Sequence, residues 1–120
     1  GLDAQLNGAI VVDARGAPPA RDRILVISEW ADTIARAMTT RQRFLGVVNG
    51  RAWPHTERLR HAVGDTVRWR VVNASADLHP MHLHGFYFRV DGRGNGTVDS
   101  LVAGGRGTLG VTETVRVGGT

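Results

Sequence analysis

In TVRWRVV, Val67, Trp69 and Val71 alternate with Arg68 and Arg70. A period of two sets one face of a strand against a core and the other in solvent. VTETVRV (111–117) alternates valine with polar residues in the same way and reads as a last strand. NGAIVVD (7–13) and RILVISEW (23–30) are short apolar runs rich in β-branched residues, which also favour strands. Between them, ARGAPPARD (14–22) carries glycine and two prolines and reads as a linker. The stretch 46–73 reads as short strands separated by turns at Asn49-Gly50 and Gly64-Asp65. NASAD (73–77) is a loop, MHLHGFYFRV (81–90) a further strand, and DGRGNG (91–96) a turn. One segment differs. In ADTIARAMTTRQRF (31–44), Ile34, Ala35, Ala37 and Met38 form a weak helical stripe with Asp32 or Thr33 as cap; an irregular excursion is the alternative. Short strands bounded by Gly, Asn and Pro predict an all-β sandwich or barrel. There is no internal repeat and no low-complexity tract.

Composition narrows the picture. The chain has 120 residues, 42% apolar and 22% charged, enough for one modest core. No apolar run approaches the length of a membrane span. All 15 basic residues are arginine, against 11 acidic residues, for a net charge of +4. These arginines are scattered among acids rather than gathered in a block, which disfavours a nucleic-acid partner. With no cysteine, the chain has no disulfide, no Cys-based zinc site and no thiol nucleophile. No Ser lies in G-x-S-x-G, there is no phosphate loop, and Glu29, Glu57 and Glu113 lack the pairing that glycosidase chemistry needs.

The candidate chemistry lies in HPMHLHGFYF (79–88), which holds three of the five histidines in an H-x-x-H-x-H spacing. Residues two apart on a strand share a face, so His82 and His84 are expected side by side, with Cα atoms about 6–7 Å apart. Leu83 then faces a core. His79, in the loop ahead of Pro80, is free to aim elsewhere. Gly85 inside a strand marks close approach by another backbone or a ligand. Such a cluster favours zinc, copper, iron or nickel.

The segment LHPMHLHGFYFRV resembles the H-P-x-H-L-H-G signature of multicopper oxidases, the group that includes laccases. GDTVRWRVVNAS resembles the family's strand before the signature, QLNGAIVVD the closing strand of a preceding cupredoxin domain, and RILVISEW the opening strand of the next. The resemblance implies a cupredoxin-like Greek-key β-sandwich, with 1–18 as the last strand of a preceding domain plus linker. Residues 19–120 would form a cupredoxin-like domain lacking its final strands at the C-terminus. It implies copper as cofactor: His79 at the type 1 site, His82 at type 2 and His84 at type 3. The complete protein would oxidise a small reducing substrate by single-electron steps and reduce dioxygen to water. Its partners would be neighbouring cupredoxin domains of the same polypeptide, and its location periplasmic or secreted.

The sequence also departs from the family pattern. A type 1 site needs a Cys thiolate and a second His, which the family supplies from an H-C-H motif on a later strand. Two H-x-H motifs of a preceding domain complete the other copper sites. None of these occurs in the chain, which is therefore expected to be an inactive internal fragment. Phe86 stands where many relatives have His; Phe86 and Phe88 read as ordinary strand residues. His55 and His61 read as surface or loop imidazoles, and Trp53 and Trp69 as core. The alternatives are a non-catalytic copper- or zinc-binding β-sandwich module and a copper nitrite reductase of the same fold. A cupin is disfavoured because no acid follows His84 before Asp91.

Overall fold

The β-branched runs are used as strands. In the computed structural model, which describes residues 6–18, 21–36, 39–102 and 107–120, the described residues form nine strands and no helix. β1 (Arg23–Arg36) and β2 (Thr39–Val48) make a long antiparallel hairpin, paired from Ile27↔Val48 to Arg36↔Thr39. β3 (Trp69–Asn73) lies parallel to the other edge of β1, from Arg23↔Trp69 to Ile27↔Asn73, giving the sheet order β2-β1-β3. β4 (His79–His82) pairs antiparallel with β9 (Thr112–Val115), β5 (Phe88–Val90) with β8 (Thr108–Gly110), and β6 (Gly92–Gly94) with β7 (Asp99–Leu101). The fold is all-β, of the cupredoxin-like sandwich class.

Ile27, Val47 and Val115 are the buried apolar side chains among the described residues. They lie on β1, β2 and β9, of which β1 and β9 meet the end of β3 at Asn73. The Cα radius of gyration is 16.7 Å, against about 14 Å for a compact chain of this length. Many large apolar side chains stay in solvent, among them Ile10, Phe86 and Tyr87.

Asn49-Gly50 closes the far end of β2 with φ of 50° and 72°, the left-handed pair of a tight hairpin turn. The Asn49 side chain then extends the pairing with β1, accepting from Val26 N at 2.8 Å and donating to Ile24 O at 3.1 Å. The arginines of the alternating 67–71 stretch are matched by acids. Arg70 contacts Asp99 at 2.6 Å and Asp22 at 3.3 Å, and Arg68 contacts Asp22 and Asp91.

Several sequence expectations are corrected. The apolar run 7–13 has no ladder partner, because no neighbouring strand is placed to receive it. The weak helical stripe of 31–44 is strand instead: residues 31–36 continue β1 and 39–44 belong to β2, so cross-strand pairing overrides a weak local preference. Ala37 and Met38 lie outside the described residues. Residues 52–68 contain no strand. Trp69 is 39% exposed and Trp53 76%, so neither is core: alternation predicts a face, and among the described residues the Trp69 end of that face is left exposed. The segment 91–96 is not simply a turn; it forms β6, and the reversal follows at Asn95, whose backbone N donates to Val98 O at 3.3 Å.

Candidate metal centre

The expected single strand over 81–90 is broken. β4 and β5 pair with consecutive pieces of one returning segment, His82 with Thr112 and Phe88 with Gly110. Residues 83–87 therefore lie opposite Val111 alone, and the extra residues are thrown out as a large bulge. Bulges of this kind re-aim side chains. A turn closes it, with Phe86 N donating to Leu83 O at 3.4 Å and Gly85 in the third position at φ +81°. A β-carbon would strain that conformation, as at the glycine of a type II turn. Gly85 thus serves a turn, and among the described residues no other backbone lies within 4 Å of where its side chain would project. Phe86 is correspondingly outside any strand and exposed, whereas Phe88 does lie in β5.

His79 and Pro80 are part of β4 rather than of a loop ahead of it. Proline is tolerated because β4 is an edge strand of a two-stranded ladder. His82 closes β4 and His84 sits in the bulge. Their rings still meet, with centroids 5.1 Å apart and planes at 65°. The expected adjacency of His82 and His84 is present, but a turn produces it rather than strand alternation.

The two ends of the signature face different surroundings. His82 Nδ1 lies 2.5 Å from Val111 O and 3.3 Å from Thr112 Oγ1. A carbonyl only accepts, so Nδ1 carries a proton, and in the neutral ring Nε2 keeps its lone pair. This is the arrangement typical of metal-ligating histidines, whose other nitrogen is anchored by a backbone carbonyl. His79 Nε2 instead lies 2.6 Å from Ser75 Oγ, on the opposite side of the signature. Imidazoles with one nitrogen anchored and the other open fit copper by donor type. Among the described residues, no three His, Cys, Asp or Glu side chains come close enough to hold a metal by themselves. The sequence expectation of copper held by these histidines thus meets only a partial donor set.

Behind His79 stands a residue that the sequence marked only as loop. Asn73 is fully buried. Its Nδ2 donates to Asp77 O at 2.7 Å and Val115 O at 3.2 Å, and its Oδ1 accepts from Ser75 N at 2.9 Å and Ser75 Oγ at 2.8 Å. Its backbone N donates to Gly119 O at 2.9 Å, and its backbone O accepts from Gly118 N at 3.0 Å. One side chain therefore ties the end of β3, the 74–78 loop and β9 together, immediately ahead of the signature. The Asn-x-Ser spacing is a known turn signal; its burial depends on β9 and the 118–119 backbone, which local sequence does not reveal.

Elsewhere on β9, Arg93 grips Glu113 with Nε to Oε1 at 2.5 Å and Nη2 to Oε2 at 3.1 Å, joining β6 to the strand that pairs with β4. The Arg93 bond holds the Glu113 carboxyl below its usual 4.5. A carboxylate whose folded pKa is lowered adds stability above its unfolded pKa and loses it as pH falls through the folded value. Wild type is therefore expected to lose more stability than Glu113→Gln on acidification below about pH 4.5. Urea midpoints for both proteins across acid pH check this, and parallel curves would contradict it.

His55 and His61 are both exposed, as expected for surface imidazoles. His61 lines an open groove with Arg21, Arg23, Asp65 and Arg68. No described helix is long and apolar enough to cross a membrane.

An all-β sandwich with a bulged, histidine-rich edge strand defines a cupredoxin-like metal-binding class. The multicopper oxidase family profile matches residues 18–118, and the chain belongs to that family of copper proteins. A rice protein (Oryza sativa subsp. japonica) named "Putative laccase-9" is 72% identical over 25 residues, which cover 21% of this chain and 4% of that relative's length. No solved structure matches.

Proposed function

We propose that this chain is a copper-binding portion of a laccase-like multicopper oxidase, in which His79 serves the type 1 copper, His82 the type 2 copper and His84 the type 3 pair. The observation that carries the reading is the division of the signature: His79 is anchored toward Ser75, while His82 and His84 meet ring to ring at the bulge. Bound copper supplies the one-electron steps that oxidise a substrate and reduce dioxygen to water. The chain's own part is to hold imidazoles. Val111 O fixes the His82 ring with Nε2 open, and the Leu83–Phe86 turn brings His84 beside it. The short β4 carries His79 and His82 at its two ends. The chain contains no cysteine, so in this reading the type 1 thiolate comes from an H-C-H motif on a later strand of the same cupredoxin domain, and the H-x-H pairs come from a preceding domain of one longer polypeptide. The family's periplasmic or secreted setting is the one proposed for that polypeptide.

Reading the parent gene tests this directly. An H-C-H motif downstream and H-x-H pairs upstream are expected; their absence would leave a non-catalytic copper- or zinc-binding module. The 120 residues alone, supplied with copper, are expected to show no steady oxidase turnover because the donor set is partial. Sustained oxygen consumption by them would contradict the proposal.

A further inference from the structure

The hydrogen bonds behind the signature determine which nitrogen His79 offers. The Asn73 amide can sit only one way round, because its Nδ2 faces two carbonyl oxygens, of Asp77 and Val115, and its Oδ1 faces the Ser75 N–H. Ser75 Oγ lies 2.8 Å from Asn73 Oδ1. Two oxygens at that distance need a proton between them, and an amide oxygen has none to give. The single Ser75 hydroxyl proton is therefore committed to Asn73 Oδ1, with Asp77 O a longer second acceptor at 3.3 Å; both oxygens only accept, so neither leaves that proton for His79. What Ser75 Oγ offers elsewhere is lone pairs, one accepting from Asp77 N at 3.2 Å and one facing His79 Nε2 at 2.6 Å. An acceptor facing Nε2 requires the proton on Nε2, which leaves the His79 lone pair on Nδ1.

We infer that Asn73 and Ser75 are positioning residues that lock His79 as the Nε2–H tautomer and present Nδ1 to the copper. His82 is locked the opposite way by Val111 O, so histidines three residues apart in one strand offer different nitrogens. The inference rests on the reading of His79 as a copper ligand for its purpose, but not for the tautomer itself. Ser75 is buried and half-buried His79 leans on it.

Long-range 1H–15N NMR of the imidazole nitrogens in the metal-free 120-residue chain tests the inference, with Cu(I) as the diamagnetic probe. His79 is expected as the Nε2–H form and His82 as the Nδ1–H form. Ser75→Ala is expected to give a mixture of His79 tautomers and to weaken Cu(I) binding at His79 by about 10-fold or more, the scale of an outer-shell partner. Ser75→Thr, which restores the hydroxyl, is expected to restore both. An Nδ1–H form of His79 in the wild type overturns the inference without any variant having to fold. So does an unchanged His79 pattern in a folded Ser75→Ala chain. If the tautomers are as expected but Cu(I) leaves the His79 nitrogens unmoved, the lock stands and the ligand reading of His79 fails instead.

Discussion

Replacing Asn73 by alanine is expected to cost about 3 kcal/mol or more of folding stability. The side chain is fully buried and makes four hydrogen bonds. Truncation leaves the Ser75 N–H and the carbonyls of Asp77 and Val115 without those partners, the Ser75 and Val115 groups in buried surroundings and that of Asp77 part-buried. Each orphaned buried group costs about 1–3 kcal/mol. A small domain has about 5–15 kcal/mol in all, and the apolar core of the described residues is only Ile27, Val47 and Val115. The variant is therefore expected at the edge of unfolding. Asn73→Asp keeps the shape but turns an acceptor toward two carbonyls, and the same loss is expected. Asn95→Ala, in the exposed turn between β6 and β7, serves as the comparison. Its Oδ1 accepts from Thr97 N and Val98 N, both at 3.0 Å, but in solvent, where water replaces it. Urea denaturation of the three variants measures the difference. A cost below about 1 kcal/mol for Asn73→Ala would remove it from the centre of the fold.

The second large effect concerns His82 in the complete oxidase. His82 is exposed, and its ring meets Val111 O, Thr112 Oγ1 and the His84 ring. His82→Ala is therefore expected to change folding stability by no more than about 0.5 kcal/mol, as for a surface substitution. Its effect on oxidase turnover is expected to exceed 100-fold, since outer-shell partners of metal ligands are already worth about 10–100-fold. His61→Ala removes an equally exposed imidazole from the groove beside Arg23 and Arg68 and is expected to leave turnover unchanged. Oxygen uptake and copper content of the purified variants separate the cases. Full activity in His82→Ala would strike His82 from the ligands.

How far the sequence could be read depends on which interactions decided each element. RILVISEW is strand because its β-branched residues prefer a pleated surface, and β1 begins at Arg23 accordingly. VTETVRV likewise contains β9, with Val115 turned inward. Residues 31–36 have no such local preference; β2 lying alongside makes them strand, and that pairing is not written in their own side chains. Trp69 shows the opposite limit: its alternation was legible, but burial depends on what stands opposite. The three histidines were legible as a cluster, and their separation into His79 on one side and His82 with His84 on the other agrees with the expectation. The cause differs. It is the bulge at 83–87, fixed by the register of β8 and β9, together with the anchoring of His79 by Ser75. Asn73 escaped notice because Asn-x-Ser in a polar stretch looks like any loop until Val115 and Gly119 close over it.

The central claim is that one short strand serves separate copper sites, with His79 on one and His82 and His84 on another. Anomalous diffraction at the copper edge from crystals of the complete polypeptide tests it most directly. The account predicts copper on Nδ1 of His79, and separate copper on Nε2 of His82 and beside His84. A single copper shared by His79 and His82, or fully loaded copper sites that leave His79 untouched, would contradict it.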